Sequence, residues 1–104
     1  MKIRFAQHAI DRYRERMAGI DAKAIEDWWA NAERIAREIE KSGSWYYSPE
    51  TGAHFCVVRN LKVYVAFLSR RRVTVVTAYP YTKKMKRVLN RCEHVPRNVI
   101  FPDN

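Results

Sequence analysis

The spacing of apolar residues changes near residue 43, and this change constrains the fold more than any other feature of the chain. Before it, apolar side chains recur every three or four residues, as in amphipathic helices. After it, short runs rich in Val, Tyr, Phe and Thr are separated by turn residues, as in antiparallel sheets. The chain has 104 residues, which suffice for one hydrophobic core but not for two. We therefore expect one α+β domain, residues 1–104, whose helices are segregated from its sheet.

Residues 1–42 are predicted to form two helices. The apolar stripe of the first consists of Ala6, Ala9, Ile10, Tyr13 and Met17. The apolar stripe of the second consists of Ile25, Trp28, Trp29, Ala32, Ile35, Ala36 and Ile39. Gly19 suits the end of the first helix, and Asp21 suits the N-cap of the second. The turn signal Ser42-Gly43-Ser44 then ends the helical part.

Residues 45–80 are predicted to form a four-stranded antiparallel meander. The expected strands are residues 45–47, 54–59, 62–68 and 72–79. A two-residue turn at Asn60-Leu61 would pair Arg59 with Lys62, and this register decides which side chains share a face. Both helices are then expected to pack on the apolar face of the sheet. The polar end of the opposite face is expected to carry Arg59, Lys62, Tyr64, Thr77 and Tyr79.

Residues 81–104 are predicted to form a short basic helix and a tail that contains proline. The apolar residues of this helix are Met85, Val88, Leu89 and Cys92. Its basic residues are Lys83, Lys84, Lys86 and Arg87. Because the last strand ends just before this segment, its cations are expected to lie beside the polar end of the sheet.

The positive charge of the chain is concentrated in its second half. The chain holds 20 Lys and Arg against 11 Asp and Glu, a net charge of +9. Residues 1–52 hold nine of each sign, whereas residues 53–104 hold eleven basic and two acidic side chains. A charge this one-sided indicates a polyanionic partner, of which nucleic acid is the commonest. Anionic lipid is a weaker alternative, because no basic amphipathic helix with bulky apolar anchors is evident.

The sequence contains no segment that suggests a membrane or an export signal. The longest apolar run, residues 63–68, is far shorter than the roughly 20 residues that span a bilayer. No signal peptide follows Met1. We therefore expect a cytoplasmic protein with no membrane partner. Its two cysteines, Cys56 and Cys92, are expected to be reduced.

The first predicted helix carries three basic or titratable residues at four-residue spacing. His8, Arg12 and Arg16 therefore share one helix face. An imidazole beside two guanidiniums is suited to phosphate chemistry. The alternative is a solvated helix face, on which neighbouring acidic residues balance the two arginines.

Two short motifs resemble the BECR superfamily of ribonucleases, which includes barnase, EndoU, colicin-type and RelE-like toxin nucleases. The first is His8-Ala9…Arg12…Glu15-Arg16, and the second is Val-Val-Thr-Ala-Tyr-Pro at residues 75–80. The similarity is greatest to the small stand-alone and toxin-like members, and it covers about residues 5–80. It implies metal-independent cleavage of RNA without a cofactor, with His8, Arg12, Thr77 and Tyr79 at the matching positions. A toxin-type nuclease would also have a cognate antitoxin or immunity protein as a partner.

Cleavage of RNA without a metal uses the 2′-hydroxyl as the nucleophile. It needs a base for the hydroxyl proton, an acid for the 5′-oxygen and fixed positive charge for the phosphate. We assign proton transfer to His8, and positioning or protonation of the scissile phosphate to Thr77 and Tyr79. The expected phosphate contacts are Arg12, Arg16, Arg59, Lys62, Tyr64, Lys83, Lys84, Lys86 and Arg87. The expected substrate is RNA, including structured RNA such as tRNA.

Two non-catalytic interpretations and one metal interpretation remain open. The chain could be a basic module that binds nucleic acid, or a nucleic-acid-processing protein, as an inhibitor or regulator. It could also be an inactive relative of such nucleases that binds a protein. Zinc-type ligands occur in two pairs, His54 with Cys56 and Cys92 with His94. Their single-residue spacing is unlike that of common zinc modules, so no metal site is predicted.

Overall fold

The computed structural model describes residues 2–17, 28–70 and 72–102. Its elements are β1 (Lys2–Phe5), α1 (Gln7–Met17), α2 (Trp28–Ser42), β2 (Gly43–Tyr47), β3 (His54–Val58), β4 (Lys62–Ser69), β5 (Arg72–Pro80), α3 (Lys83–Leu89), β6 (Glu93–Val95) and α4 (Arg97–Ile100). The predicted α+β class is confirmed. The predicted caps at Gly19 and Asp21, and Ile25 of the second stripe, lie outside the described residues. Within the described part of the chain, no helix is both long enough and apolar enough to cross a bilayer.

The sheet has six strands in the order β1-β5-β4-β3-β2-β6. The antiparallel meander from β2 to β5 is confirmed, but the prediction of only four strands was wrong. β1 adds to the outer side of β5 in the parallel direction, and β6 adds to β2 in the antiparallel direction. These two strands have four and three residues. β6 is too short for alternation to be recognised, because alternation needs about four residues or more. β1 reads Lys-Ile-Arg-Phe, which alternates over this minimum length only.

The turn between β3 and β4 contains three residues, not the predicted two. Val58 pairs with Lys62, and Val57 pairs with Val63. Arg59 and Asn60 adopt φ angles of 57° and 53°, in the left-handed region that asparagine tolerates better than most residues. The predicted register is therefore wrong by one residue, and a slip of one residue exchanges the two faces of a strand.

β5 contains one extra residue relative to β4. Thr77 pairs with Val65, whereas Val75 pairs with the next residue of β4, Ala66. Val76 is thus a bulge residue, and a bulge changes the alternation of the strand that contains it. Consequently Ala78 joins Val75 on the buried face, where it is 1% exposed. Thr77 and Tyr79 lie on the opposite face.

Each face of the sheet carries its own hydrophobic core. The larger core lies under α1 and α2, and its largest side chains are Ile10, Tyr13, Ile35, Ile39, Trp45, Tyr64, Ile100 and Phe101. The smaller core lies under α3 on the opposite face and consists of Ala53, Phe55, Val57, Val63 and Leu89. The basic C-terminal helix was predicted, but its role as the cover of a second face was not.

The chain after α3 returns to the larger core instead of forming a tail. Ile100 and Phe101 are 0% and 1% exposed, and the Phe101 ring packs edge-on against Trp45 with its centroid at 5.9 Å. A cover on both faces explains why the strands of the meander are mostly buried. The prediction that the helices cover one face of the sheet was therefore incomplete, because α3 covers the other.

Candidate phosphate site at the edge of β5

The outer edge of β5 is paired along only half of its length. β1 pairs with residues 72–75, and no described strand pairs with this edge beyond Val75. α1 begins where β1 ends, since the Ala6 N–H donates to the Val75 carbonyl at 2.8 Å. α1 then packs along β5. The C-terminal turn of α1 is thereby brought beside the uncovered part of β5.

Arg16, near the end of α1, reaches around this edge. Its Nη1 donates to the Thr77 hydroxyl at 2.9 Å and to the Ala78 carbonyl at 2.7 Å. Its Cζ lies 4.2 Å from the centroid of the Tyr79 ring. The bulge at Val76 makes this contact possible, because it turns Thr77 and Tyr79 away from the face on which α1 packs.

The guanidinium of Arg16 has a fixed orientation, but only one of its nitrogens donates hydrogen bonds to the residues that the structure describes. Both hydrogens of Nη1 are occupied, which leaves the hydrogens of Nη2 and Nε as donors for a ligand. No carboxylate within residues 2–17, 28–70 and 72–102 forms an ion pair with Arg16. A partly buried guanidinium with a fixed plane is suited to hold two oxygens of a phosphate at once.

The structure places His8 and Arg12 away from this cluster. Both side chains are exposed, and Arg12 pairs with Glu15 at 2.9 Å. His8 precedes Arg16 by eight residues of α1, so their Cα atoms are about 12 Å apart along the helix axis. Of the predicted catalytic and phosphate-binding residues, Arg16, Thr77 and Tyr79 come together directly. His8, to which the sequence assigns proton transfer, is not among them.

Lys62 and Tyr64 lie in the larger core, which corrects their predicted position at a polar end. Lys62 is 3% exposed, and its Nζ donates to Glu38 Oε2 at 2.7 Å. The Tyr64 ring stacks on Tyr13 with centroids 6.1 Å apart, and burial raises the pKa of Tyr64 well above its ordinary value. The one-residue error in register caused the wrong placement, and neither side chain faces solvent as a phosphate ligand would.

Glu38 is the polar residue that the sequence interpretation missed. It accepts hydrogen bonds from Lys62 and, at 2.9 Å, from Arg34 one turn earlier in α2. Arg34 also donates to the Tyr13 hydroxyl at 3.1 Å. The four-residue spacing of Arg34 and Glu38 was a visible signal, but it indicates an ordinary surface pair unless the strand partner is known. The resulting network joins α1, α2 and β4.

The remaining predicted phosphate ligands are exposed around α3. They are Arg59, Lys83, Lys84, Lys86 and Arg87. Two cavities flank the helix. One, of about 390 Å³, is largely apolar and lies between Tyr79, Lys84 and Val88. The predicted proximity of the α3 cations to the end of the last strand is therefore confirmed for Lys84, which shares a cavity with Tyr79.

The four zinc-type ligands do not converge. Cys56 belongs to the larger core, where burial raises the pKa of its thiol to about 12. Cys92 packs against the smaller core on the opposite face, and its thiol donates to the Val88 carbonyl at 3.3 Å. His94 packs edge-on against Tyr46. Among the described residues, no three His, Cys, Asp or Glu side chains are arranged to hold a metal ion together.

The geometry thus assembles a cation, two hydroxyl groups and an open strand edge at one place. The predicted relationship to the BECR ribonucleases remains a prediction. Comparison with protein family models, with curated proteins and with solved structures gives no match for this chain.

Proposed function

We propose that this chain is a small ribonuclease that binds RNA across the edge of β5 and the adjacent helix α3. We further propose that it cleaves the strand by attack of the 2′-hydroxyl, without a metal ion. The observation that supports this proposal most is the Arg16 guanidinium, which is held by Thr77, Ala78 and Tyr79 and keeps donors available for a phosphate.

In this proposal the phosphate binds to Nε and Nη2 of Arg16. Negative charge grows on its non-bridging oxygens as the 2′-oxygen attacks, so an oriented guanidinium stabilises the transition state more than the ground state. Thr77 acts through Arg16, because its hydroxyl fixes the plane of the guanidinium. The Tyr79 hydroxyl is the nearest candidate to donate a proton to the departing 5′-oxygen. The 2′-hydroxyl proton passes to water, because His8 lies about 12 Å from Arg16 along α1 and does not reach this phosphate. The products are a 2′,3′-cyclic phosphate and a free 5′-hydroxyl.

The exposed cations of α3 extend this site. Lys84 borders the cavity that Tyr79 also lines, so a strand bound at Arg16 can continue over α3. Lys83, Lys86 and Arg87 are exposed on the same short helix. Contacts of this kind bind the backbone of any sequence and weaken as salt increases. They favour RNA binding but do not by themselves favour cleavage.

One observation favours a second candidate function, the binding of RNA without cleavage. His8 is about 12 Å from Arg16 along the axis of α1, which is beyond the reach of a proton transfer at the same phosphate. If no other group accepts the 2′-proton, the same cluster would bind phosphate as part of a regulator or inhibitor.

The two candidates are separated by one assay with four variants. Single-stranded RNA and tRNA are incubated with the protein in EDTA, and products are tested for 2′,3′-cyclic phosphate ends. Arg16→Lys should abolish cleavage, whereas Arg37→Ala, an exposed arginine of α2, should not. His8→Ala should leave cleavage largely intact, and loss of cleavage in that variant would identify His8 as the base after all. RNA binding without cleavage, lost in Arg16→Ala, would establish the second candidate. Absence of both cleavage and binding would refute both.

A further inference from the structure

A second cavity, of about 330 Å³, lies on the other side of α3 from Tyr79. Its floor is formed by Val57 and Leu89, and its walls include Tyr46 and Tyr81. Lys86 and Leu89 of α3 and its C-cap Asn90 line this cavity, and they occupy the opposite side of the helix from the residues that line the apolar cavity near Tyr79. We name it the Arg59 cleft, after the residue at its rim.

The charged residues that line the Arg59 cleft are both basic. Arg59 and Lys86 enter from opposite sides, one from the β3–β4 turn and one from α3, and no carboxylate is among the lining residues. Ser42, Ser44 and Asn60 add hydroxyl and amide groups. The cleft therefore combines an apolar floor, aromatic walls, neutral hydrogen-bonding groups and two cations.

The backbone at Arg59 is the least expected feature of this cleft. Arg59 has a φ of 57°, a conformation that glycine adopts freely and that costs free energy for a long side chain. The next residue, Asn60, shares this conformation but is of a type that tolerates it. Residues held in such conformations are concentrated at binding sites. A position whose backbone conformation favours glycine is here occupied by an exposed cation that lines a cavity.

The walls of the cleft are fixed by contacts outside it. The Tyr81 N–H donates to the Leu61 carbonyl at 3.0 Å, which ties the end of β5 to the turn that carries Arg59. The Tyr46 ring packs edge-on against His94, with centroids 5.5 Å apart. A cleft with positioned walls loses less conformational entropy when a ligand binds.

We infer that the Arg59 cleft binds a nucleoside monophosphate unit. Arg59 and Lys86 hold the phosphate, and Tyr46 and Tyr81 pack against the base and sugar. The cavity has the size of a small-molecule site and an apolar floor, whereas a bare phosphate would need neither. The unit is either a free nucleotide or one nucleotide of an RNA strand. This inference does not depend on cleavage at Arg16.

The experiment measures the affinity of AMP and of ribose 5-phosphate by isothermal titration calorimetry. Arg59→Gly and Lys86→Ala should each weaken AMP binding about tenfold or more, since each removes a charge-assisted hydrogen bond. Arg37→Ala removes one exposed positive charge from α2 without lining the cleft, and should leave AMP affinity within about twofold. Arg59→Gly should unfold at the same or a higher denaturant concentration, so weaker binding could not be attributed to misfolding.

A second arm identifies the source of the nucleotide. A single-stranded 2′-O-methyl RNA, which cannot be cleaved through its 2′-oxygen, is titrated into the same variants. If wild type does not bind AMP measurably and Arg59→Gly loses binding of the RNA, the cleft is assigned to an RNA strand. If wild type binds AMP, the cleft is assigned to a free nucleotide. The inference is overturned if neither ligand responds to Arg59→Gly, if ribose 5-phosphate binds as tightly as AMP, or if Arg37→Ala is as damaging as Lys86→Ala. Arg16→Lys should leave AMP affinity unchanged, which separates this test from that of the ribonuclease.

Discussion

Arg16 of α1 lies across the ring of Tyr79 of β5, with its Cζ 4.2 Å from the ring centroid, although the two side chains start from opposite faces of the sheet. The contact exists because β1 stops at the level of Val75 and leaves the rest of the β5 edge uncovered. It also depends on the extra residue at Val76, which directs Tyr79 away from α1. A cation–π contact of this kind stabilises by about 0.5–1 kcal/mol where solvent has access. Its greater effect is to fix the direction of the guanidinium.

Thr77→Val tests whether this direction matters. The substitution keeps the shape of the side chain but removes the oxygen that accepts from Arg16. We expect kcat/KM for RNA cleavage to fall about tenfold, because a hydrogen bond to a charged group contributes about 1.5 kcal/mol. Thr74→Val, on the same strand, is the matched control and should leave kcat/KM unchanged. An equal loss in both variants would show that Thr77 acts only through the sheet.

Glu38→Gln tests the buried network beneath α1 and α2. It leaves the ammonium of Lys62, which is 3% exposed, without the carboxylate that lies 2.7 Å away. We expect the free energy of unfolding, measured by urea denaturation, to fall by about 3 kcal/mol. Glu15→Gln, which breaks the exposed pair with Arg12, should change it by less than about 1 kcal/mol. A small effect of Glu38→Gln would mean that Lys62 is solvated in solution.

Lys62→Met tests the corrected position of that lysine. Because its Nζ is directed at Glu38 and the Tyr13 hydroxyl, it is not available to an RNA phosphate. We expect the affinity of the folded variant for RNA to stay within about twofold of wild type, whereas a direct phosphate contact would contribute a charge-assisted hydrogen bond. Lys84→Met, on exposed α3, should weaken binding and reduce its salt dependence. Electrophoretic mobility shifts at two salt concentrations measure both.

Hydrophobic periodicity predicted the helices that bury one face over several turns and the strands that have five or more residues. α1, α2 and the four strands of the meander are of this kind, and within the described residues their bounds differ from the prediction by only a few residues. β1 and β6 were not found in this way, and the partners of both lie far away in the chain. β6 has three residues and shows no pattern, whereas β1 alternates over four residues, the shortest length at which alternation indicates a strand. Pairing with distant strands, not local preference, makes these two segments extended.

The candidate site was predictable in its residues but not in its geometry. Spacing placed Arg16 on the same face as His8 and Arg12, and the motif at residues 75–80 pointed to Thr77 and Tyr79. Which of them meet depends on the bulge at Val76 and on the length of β1, neither of which has a sequence signature here. The position of Lys62 likewise depends on the length of the turn at Arg59. A turn of three residues instead of two shifts the register by one residue, and this shift moves Lys62 from the surface to the core.

Gly43→Ala tests the direct junction between α2 and β2. A Cβ on Gly43 would lie 2.5 Å from Cys56 Sγ and 2.6 Å from the Ile39 carbonyl, so the helix and strand would have to separate. We expect a loss of about 1–3 kcal/mol in the free energy of unfolding, as for other overpacked sites. Gly52→Ala adds a methyl group where no atom lies within 4 Å, at a φ of +76°. Gly52→Ala should lower the free energy of unfolding by about 1 kcal/mol, from backbone strain alone. A larger loss for Gly52→Ala than for Gly43→Ala would contradict the close approach of Gly43 to Cys56 and Ile39.

Acidification should destabilise the fold through His54. Its Nδ1 is buried without a hydrogen-bond partner among the described residues, and burial lowers the pKa of the imidazole below the ordinary 6.5. The unfolded chain therefore binds a proton more readily than the folded chain between these two pKa values. The stability that the neutral His54 contributes is fully present above pH 6.5 and is lost as the pH falls through the folded pKa.

Urea denaturation from pH 7.5 to 5 should show this loss in wild type and in His94→Gln, whose histidine is exposed. The slope should be smaller in His54→Gln, and an unchanged slope there would assign the acid sensitivity to other groups.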